Sequence, residues 1–262
     1  MSRLLRTALA CLLALGTATA RAGTATDRFE IAGIRTGMTE AEVVAALKAH
    51  DATLQLQRTL AHYTYRDGVT SHRSPEYLSQ IFAAPRDTLA HPERIRVMFS
   101  SAPGEARVVS VSRELGLRQP PTAAQLEQQL LQKYGAPLYR STTGKDATFD
   151  LAMVWEEAGR PNCWRTLPTD SNMPAVSGPS QGPIADYILN GQRRGKLPRV
   201  DVAQCGRGLR AQVVGDPART LIVRMSDLGA WAASDLAASR WVEGLRQEAE
   251  RARLAGGKTP KL

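Results

Sequence analysis

The sequence predicts an α+β fold: two tandem units, each a helix packed on an antiparallel β-sheet, plus a C-terminal helix. Three observations predict it. One helix-start signature occurs twice, as Thr39-x-x-Glu42 and Thr122-x-x-Gln125. Each is followed by short strand-like runs separated by Gly and Pro instead of by further helical repeats. The chain then closes on a charge-alternating segment of helical character.

The first residues, "MSRLLRTALACLLALGTATA", read as a secretory signal peptide over residues 1–20. Arg3 and Arg6 form its basic region, Ala8 to Leu15 its apolar core, and Ala18-Thr-Ala20 a small-residue cleavage site. Ala20-Arg-Ala22 offers a second site, so cleavage follows Ala20 or Ala22. The apolar run is shorter than the roughly 20 residues that a bilayer span requires. Cys11 lies inside that core, after "ALA" and not after a Leu-led lipobox, which argues against lipidation. The expected location is the periplasm of a Gram-negative envelope. Removal of Arg3 and Arg6 leaves a formal charge two units below the +9 of the whole chain.

The first unit, over 27–118, opens on "FEIAGIRTGMTEAEVVAALKAH". Gly37 supplies a tight turn, and Thr39 with Glu42 forms a capping box. Met38 and Val43 take the positions of a hydrophobic staple, and Val43, Ala46, Leu47 and His50 share one helical face. Four strand-like runs follow: "TLQLQRTLAHYTYR", "LSQIFAA", "RIRVMFS" and "RVVSVSREL". The second unit, over 119–262, repeats the pattern. Its helix carries Leu126, Leu130 and Tyr134 on one face and stops at Gly135 and Pro137. The strand-like runs "ATFDLAMVWEE", "GLRAQVV" and "TLIVRMS" come next. The last helix, "SDLAASRWVEGLRQEAERARLA", shows a ragged apolar face of Leu236, Ser239, Arg240, Trp241 and Leu245, and Gly256-Gly257 ends it.

A long loop, residues 163–205, interrupts the second unit and is rich in Pro, Gly, Ser and Asn. Cys163 and Cys205 stand at its ends. In an oxidising compartment this even pair reads as a disulfide; a Cys/His zinc site is the rival, without a C-x-x-C or H-x₃-H spacing to support it. In the chain-entropy account, closing a loop of about 43 residues is worth about 4 kcal/mol. Between residues 158 and 210 the basic residues Arg160, Arg165, Arg193, Arg194, Lys196, Arg199, Arg207 and Arg210 face only Asp170, Asp186 and Asp201. Such a patch attracts acidic partners. Trp164 beside Arg165 has the composition of an interface hot spot. The partner-binding residues expected here are Trp164, Arg165, Arg193, Arg194, Lys196 and Arg199. A plain solvated loop, with Trp164 shielding the disulfide, is the alternative.

Catalytic signatures are missing from the sequence: no G-x-S-x-G, phosphate-binding loop, H-E-x-x-H or G-x-G-x-x-G. His50, His62, His72 and His91 show no helical metal-ligand pair, although His91 with Glu93, or His72 with His91, is a conceivable meeting. Glu156 and Glu157 are consecutive on a strand and point to opposite faces, which does not suit shared acid–base work. The expectation is a non-enzymatic protein with no metal and no cofactor.

The run "IAGIRTGMTEAEVVAAL" resembles the opening motif of BamE-type (SmpA/OmlA) outer-membrane-assembly lipoproteins. The doubling of helix and sheet is similar to the β-lactamase inhibitory protein. The first resemblance covers about 20 residues, Phe29 to Lys48, and the second is one of architecture. The chain departs from both, having no lipobox and cysteines for a disulfide in the second unit only. The resemblance implies modules that bind other proteins through the exposed sheet face or its loops. The expected partner is therefore an acidic periplasmic or outer-membrane protein, with the chain acting as an envelope-assembly accessory or as an inhibitor or immunity factor. Binding of anionic envelope lipid or glycan through the basic loop 158–210 is the alternative, and a hydrolase with an unfamiliar site comes third. Nucleic acid is not expected for an exported chain with few aromatics.

Overall fold

The two helix-start signatures form as the sequence predicts. In a computed structural model describing residues 29–87, 92–142, 149–160 and 204–256, helix α1 spans Glu40–His50 and helix α2 spans Ala123–Tyr134. Thr39 accepts from the N–H of Glu42 while Glu42 takes the N–H of Thr39 at 2.7 Å. Thr122 and Gln125 close the same reciprocal pair. Gly37, at φ +85°, makes the turn ahead of α1 in a region that side-chain-bearing residues rarely adopt. The signal-peptide residues lie outside the described residues.

The strands are β1 (Leu54–Ala61), β2 (Thr64–Arg66), β3 (Ser71–Arg73), β4 (Tyr77–Pro85), β5 (Glu93–Phe99), β6 (Val108–Gly116), β7 (Tyr139–Ser141), β8 (Leu151–Glu156), β9 (Arg207–Val214) and β10 (Thr220–Asp227). All but β2 and β3 join one 8-stranded sheet in the order β1-β4-β5-β6-β10-β9-β8-β7. Every pairing in it is antiparallel. The strand run after α1 meets the strand run after α2 at β6 and β10, so the two sheets read from the sequence are continuous.

One face of that sheet carries the core. The residues Ile81, Val97, Val111, Met225, Leu209 and Trp155 lie in one cross-strand row through the β6–β10 seam. All belong to a single buried cluster with Val43 and Leu47 of α1 and Leu126, Leu130 and Tyr134 of α2. Both helices therefore cover the same face. Ion pairs at its rim hold them there: Glu40 with Arg58 for α1, and Glu127 with Arg140 for α2. The Arg140 guanidinium holds the Glu127 carboxyl below its ordinary range. His50 does not join the apolar face. At the end of α1 its Nε2 lies 2.9 Å from Glu93 Oε1, because that position reaches the first residue of β5, at the strand's end.

Three elements differ from the sequence reading, the first being β7, which lies in none of its strand-like runs. The run 53–66 is not one strand: it breaks after Ala61, and β2 and β3 form a separate hairpin around Arg66-Asp67-Gly68. The C-terminal helix, α3, spans Leu228–Ala255 and begins six residues before Ser234. It leaves β10 directly, with Asp227 capping it by accepting from the N–H of Ala230 at 2.8 Å. Its buried positions are Leu228, Gly229, Ala232, Asp235 and Ala238, while Leu236 is 43% exposed. Starting the helix earlier sets this register. Asp235 is buried because its carboxylate accepts from the Ser101 hydroxyl at 2.7 Å. No helix of the described residues is long and apolar enough to cross a membrane.

The β2–β3 hairpin is tied to α3 through Asp67. Its buried carboxylate accepts from Thr70 N–H (2.7 Å), Val69 N–H (2.9 Å) and, at 3.0 Å, meets His72 Nε2. Arg253 Nε donates to the Asp67 carbonyl at 3.3 Å. The His72 hydrogen bond, then the two backbone N–H groups, hold the Asp67 carboxyl well below the usual carboxylate range. A carboxyl depressed in the folded state stabilises the fold fully above its unfolded pKa of about 3.9, and that contribution is lost as pH falls toward the folded value. Asp67→Asn is accordingly expected to lower Tm at pH 7, with the gap to the native chain narrowing below about pH 4. Thermal melts of both proteins from neutral to strongly acidic pH check this. A gap that stays constant over that range rules the carboxylate out.

Candidate functional site

Side chains alternate along a strand, so the residues between the core positions point away from α1 and α2. On this opposite face one cross-strand row reads Gln57, Phe82, Arg96, Ser112, Arg224, Arg210, Val154 and Tyr139, from β1 to β7. Three arginines thus stand in register across the central strands. Arg224 and Arg210 are direct neighbours on β10 and β9, strands about 4.8 Å apart. The adjacent row places Arg94, Glu114, Ile222, Gln212 and Ala152 together. Arg94 and Glu114 form an exposed pair at 3.5 Å.

Like charges directly opposite on neighbouring strands are destabilising, by up to about 1 kcal/mol. Burial pushes the Arg224 pKa down; Glu114 opposes this shift and neighbouring Arg96 adds to it. The hydrogen bond that Arg224 makes among the described residues runs from Nη1 to Gln212 Oε1, at 3.4 Å. Gln212 is 1% exposed, and among the described residues its Nε2 is a buried donor with no acceptor.

The residues named from sequence fall differently. Trp164, Arg165, Arg193, Arg194, Lys196 and Arg199 lie outside the described residues, as does Cys163. Arg207 and Arg210, counted there with the basic loop, belong to β9. Arg207 donates to Glu157 through Nη2 and through its N–H, both at 3.0 Å, and this holds the Glu157 carboxyl below its ordinary range. Cys205 is buried. The two feet of the long loop touch: at Gly206 an added Cβ would lie 2.7 Å from Arg160 Cβ, a close approach that requires glycine.

A cleft of about 340 Å³ opens at the end of the β6–β10 seam, lined by Thr36, Gly37, Ser100, Arg107, Val108, Arg207, Asp227 and Ala230. Its charged groups are engaged in the fold: Arg107 with Glu105, Arg207 with Glu157, and Asp227 as the cap of α3. Among the described residues no three potential metal-ligating side chains converge. The arginine row is the candidate site. Sequence reasoning missed it, though a signal was present in "RIRVMF" and "LRAQV", where period-2 spacing puts Arg94 with Arg96, and Arg210 with Gln212, on one face of each strand. Against family models, curated proteins and solved structures the chain gives no significant match.

Proposed function

We propose that the chain is a non-enzymatic protein-binding module of the bacterial envelope, docking an acidic partner on the sheet face turned away from α1 and α2. The observation that carries this is the row Phe82, Arg96, Ser112, Arg224, Arg210. Its cations are all arginine: Phe82 stands at one end, Val154 and Tyr139 continue the row at the other, Arg96, Ser112 and Arg224 are partly exposed, and Arg210 is buried beside them. Arginine and aromatic residues are enriched at protein interfaces and lysine is depleted there. In this reading the protein is exported and periplasmic, as an assembly accessory or as an inhibitor or immunity factor. A disulfide between Cys163 and Cys205 fits it: Cys205 is buried, and the loop's feet meet at Arg160 and Gly206.

A two-unit architecture also fits. α1 is followed by β1, β4, β5 and β6, and α2 by β7, β8, β9 and β10, with the fourth sheet strand of each run paired at the centre. This arrangement supports the likeness to helix-plus-sheet binding modules, whose habit is to use the open face.

The test is affinity capture from an envelope extract at low and moderate salt, comparing the tagged chain with its Arg96→Glu/Arg224→Glu variant. The expected result is one acidic protein held at both salts by the native chain and bound at least about a hundredfold more weakly by the variant. Equal retention by both chains overturns the reading. So does retention only of anionic lipid or glycan at low salt, which favours the alternative ligand.

A further inference from the structure

The two edges of the 8-stranded sheet are unlike. β7, at one side, is 3 residues long. β1, at the other, is 8 residues long, and among the described residues its outer side pairs with no strand. Natural edges of that length are blunted by proline, by free charge or by a bulge. β1 holds no proline and no lysine, and its bulge falls late, between Thr59 and Leu60. Its one charge, Arg58, is neutralised by Glu40 of α1, Nε to Oε1 at 2.6 Å.

Ser79 Oγ on β4 donates to the Thr59 carbonyl at 3.0 Å, so the backbone of Thr59 faces β4. Backbone groups alternate in direction along a strand, so Gln57 faces β4 as well, while Leu56 and Arg58 turn N–H and C=O outward. Their side chains lie on the helix-covered face, opposite Ala83 and Ile81, and Leu56 is only partly buried there. Above this edge runs α1. Glu40, Val44 and Lys48 form one stripe along it at successive i, i+4 positions. Glu40 fixes that stripe over β1, since His50 on the other flank turns to Glu93 of β5. The stripe is acidic at one end and basic at the other: Lys48 is exposed, and Val44 between them is partly buried.

We propose that β1 joins two copies of this chain, pairing antiparallel with itself about a two-fold axis at Leu56. In this register each Leu56 exchanges both backbone hydrogen bonds with the other copy's Leu56. Arg58 N–H then donates to the Leu54 carbonyl opposite, and Gln55 meets Gln57. No like charges face each other, whereas an axis at Arg58 would oppose two arginines. The same axis reverses α1 against α1. Glu40 of each copy thereby approaches Lys48 of the other, with Val44 between them. A two-fold interface requires such self-complementarity. A foreign strand would satisfy the backbone groups but leave the order of charge along α1 unused. Because β7 is too short to continue the sheet, assembly stops at the pair. The axis stands normal to the sheet, so both arginine rows lie on one surface of the dimer. The proposal is independent of the docking reading above.

Sedimentation equilibrium of the purified chain between about 1 and 300 μM is expected to show the mass rising from one chain to two. Over the same range the Leu56 and Arg58 amides are expected to gain protection from hydrogen exchange. The Gln57 amide, bonded to β4 already, is expected to change little. Leu56→Pro removes an outward donor at an edge position that tolerates proline, and is expected to raise the dimer Kd at least about tenfold. Lys48→Glu sets two carboxylates together across the axis and is expected to raise Kd about threefold or more at low salt. As an exposed helix position, it tests the interface should the proline variant fail to fold. A mass of one chain at every concentration overturns the proposal, and so does a mass beyond two. A dimer whose Kd both variants leave unchanged also overturns it, since the interface then lies elsewhere.

Discussion

Trp155→Ala is expected to destabilise the protein by about 3–5 kcal/mol, the range for emptying a large aromatic position in a packed core. Trp155 is 3% exposed on β8 and lies at the end of the core row that runs from Ile81 to Leu209. Its ring meets Tyr134 of α2 at 5.4 Å between centroids, and its Nε1 donates to the Gly135 carbonyl at 2.9 Å. The substitution removes the surface that seats α2 and the donor that satisfies its C-cap carbonyl. Trp155→Phe keeps most of the apolar contact and loses the hydrogen bond, so about 1–2 kcal/mol is expected. Urea unfolding separates these results: the midpoint falls in both variants while the slope stays that of the native chain. A loss below about 1.5 kcal/mol for the alanine variant would mean that α2 is held on the sheet mainly by other contacts.

Glu93→Ala is expected to cost about 2–3 kcal/mol, discounted from the value for a fully buried pair because Arg113 is partly exposed. Glu93, 9% exposed, accepts from Arg113 Nε at 2.6 Å and meets His50 Nε2 at 2.9 Å on the same oxygen. It joins the end of α1 to β5 and β6. Truncating it leaves the Arg113 guanidinium without its ion-pair partner against the helix-covered face. The energetic damage lies in that stranded charge more than in the lost contact. The double variant Glu93→Leu/Arg113→Met is therefore expected to recover most of the stability, with a coupling of about 1 kcal/mol or more in the cycle. A cycle that is additive within error would show the two side chains to be independent.

Much of the scaffold was legible in the sequence, for a local reason. A capping box is a pattern of residues three apart, so Thr39–Glu42 and Thr122–Gln125 declared both helix starts correctly. Leu126, Leu130 and Tyr134 likewise declared the buried face of α2, because helical periodicity is a property of neighbouring residues. The strand runs were visible through their alternation and punctuation. Where reading failed, the deciding contact was remote. His50 left the apolar face for Glu93, 43 residues away in sequence. Asp235, which was not among the residues read as the helix's apolar face, is buried with Ser101 donating to it across 134 residues.

The candidate site was legible only in fragments. Arg94 with Arg96, and Arg210 with Gln212, share a face within each strand by period 2 alone. Nothing in the sequence states that β6 pairs with β10, and it is this pairing that sets Arg96, Ser112, Arg224 and Arg210 in one row. The sequence reading put the weight of binding on the basic loop because charge density along the chain is visible there, and density across a sheet is not.

By itself, then, the sequence determined the α+β class, both capped helices, most of the strand-forming segments, and the C-terminal helix with its stop at Gly256 though not its start. Each rests on interactions within a turn or two of chain, or on the alternation of side chains about it. Tertiary structure alone decided that two runs of strands make one sheet, that α1 and α2 share its apolar face, and that the arginines converge on the other. Those outcomes depend on inter-strand register, which is chosen by the fit of two distant segments buried together.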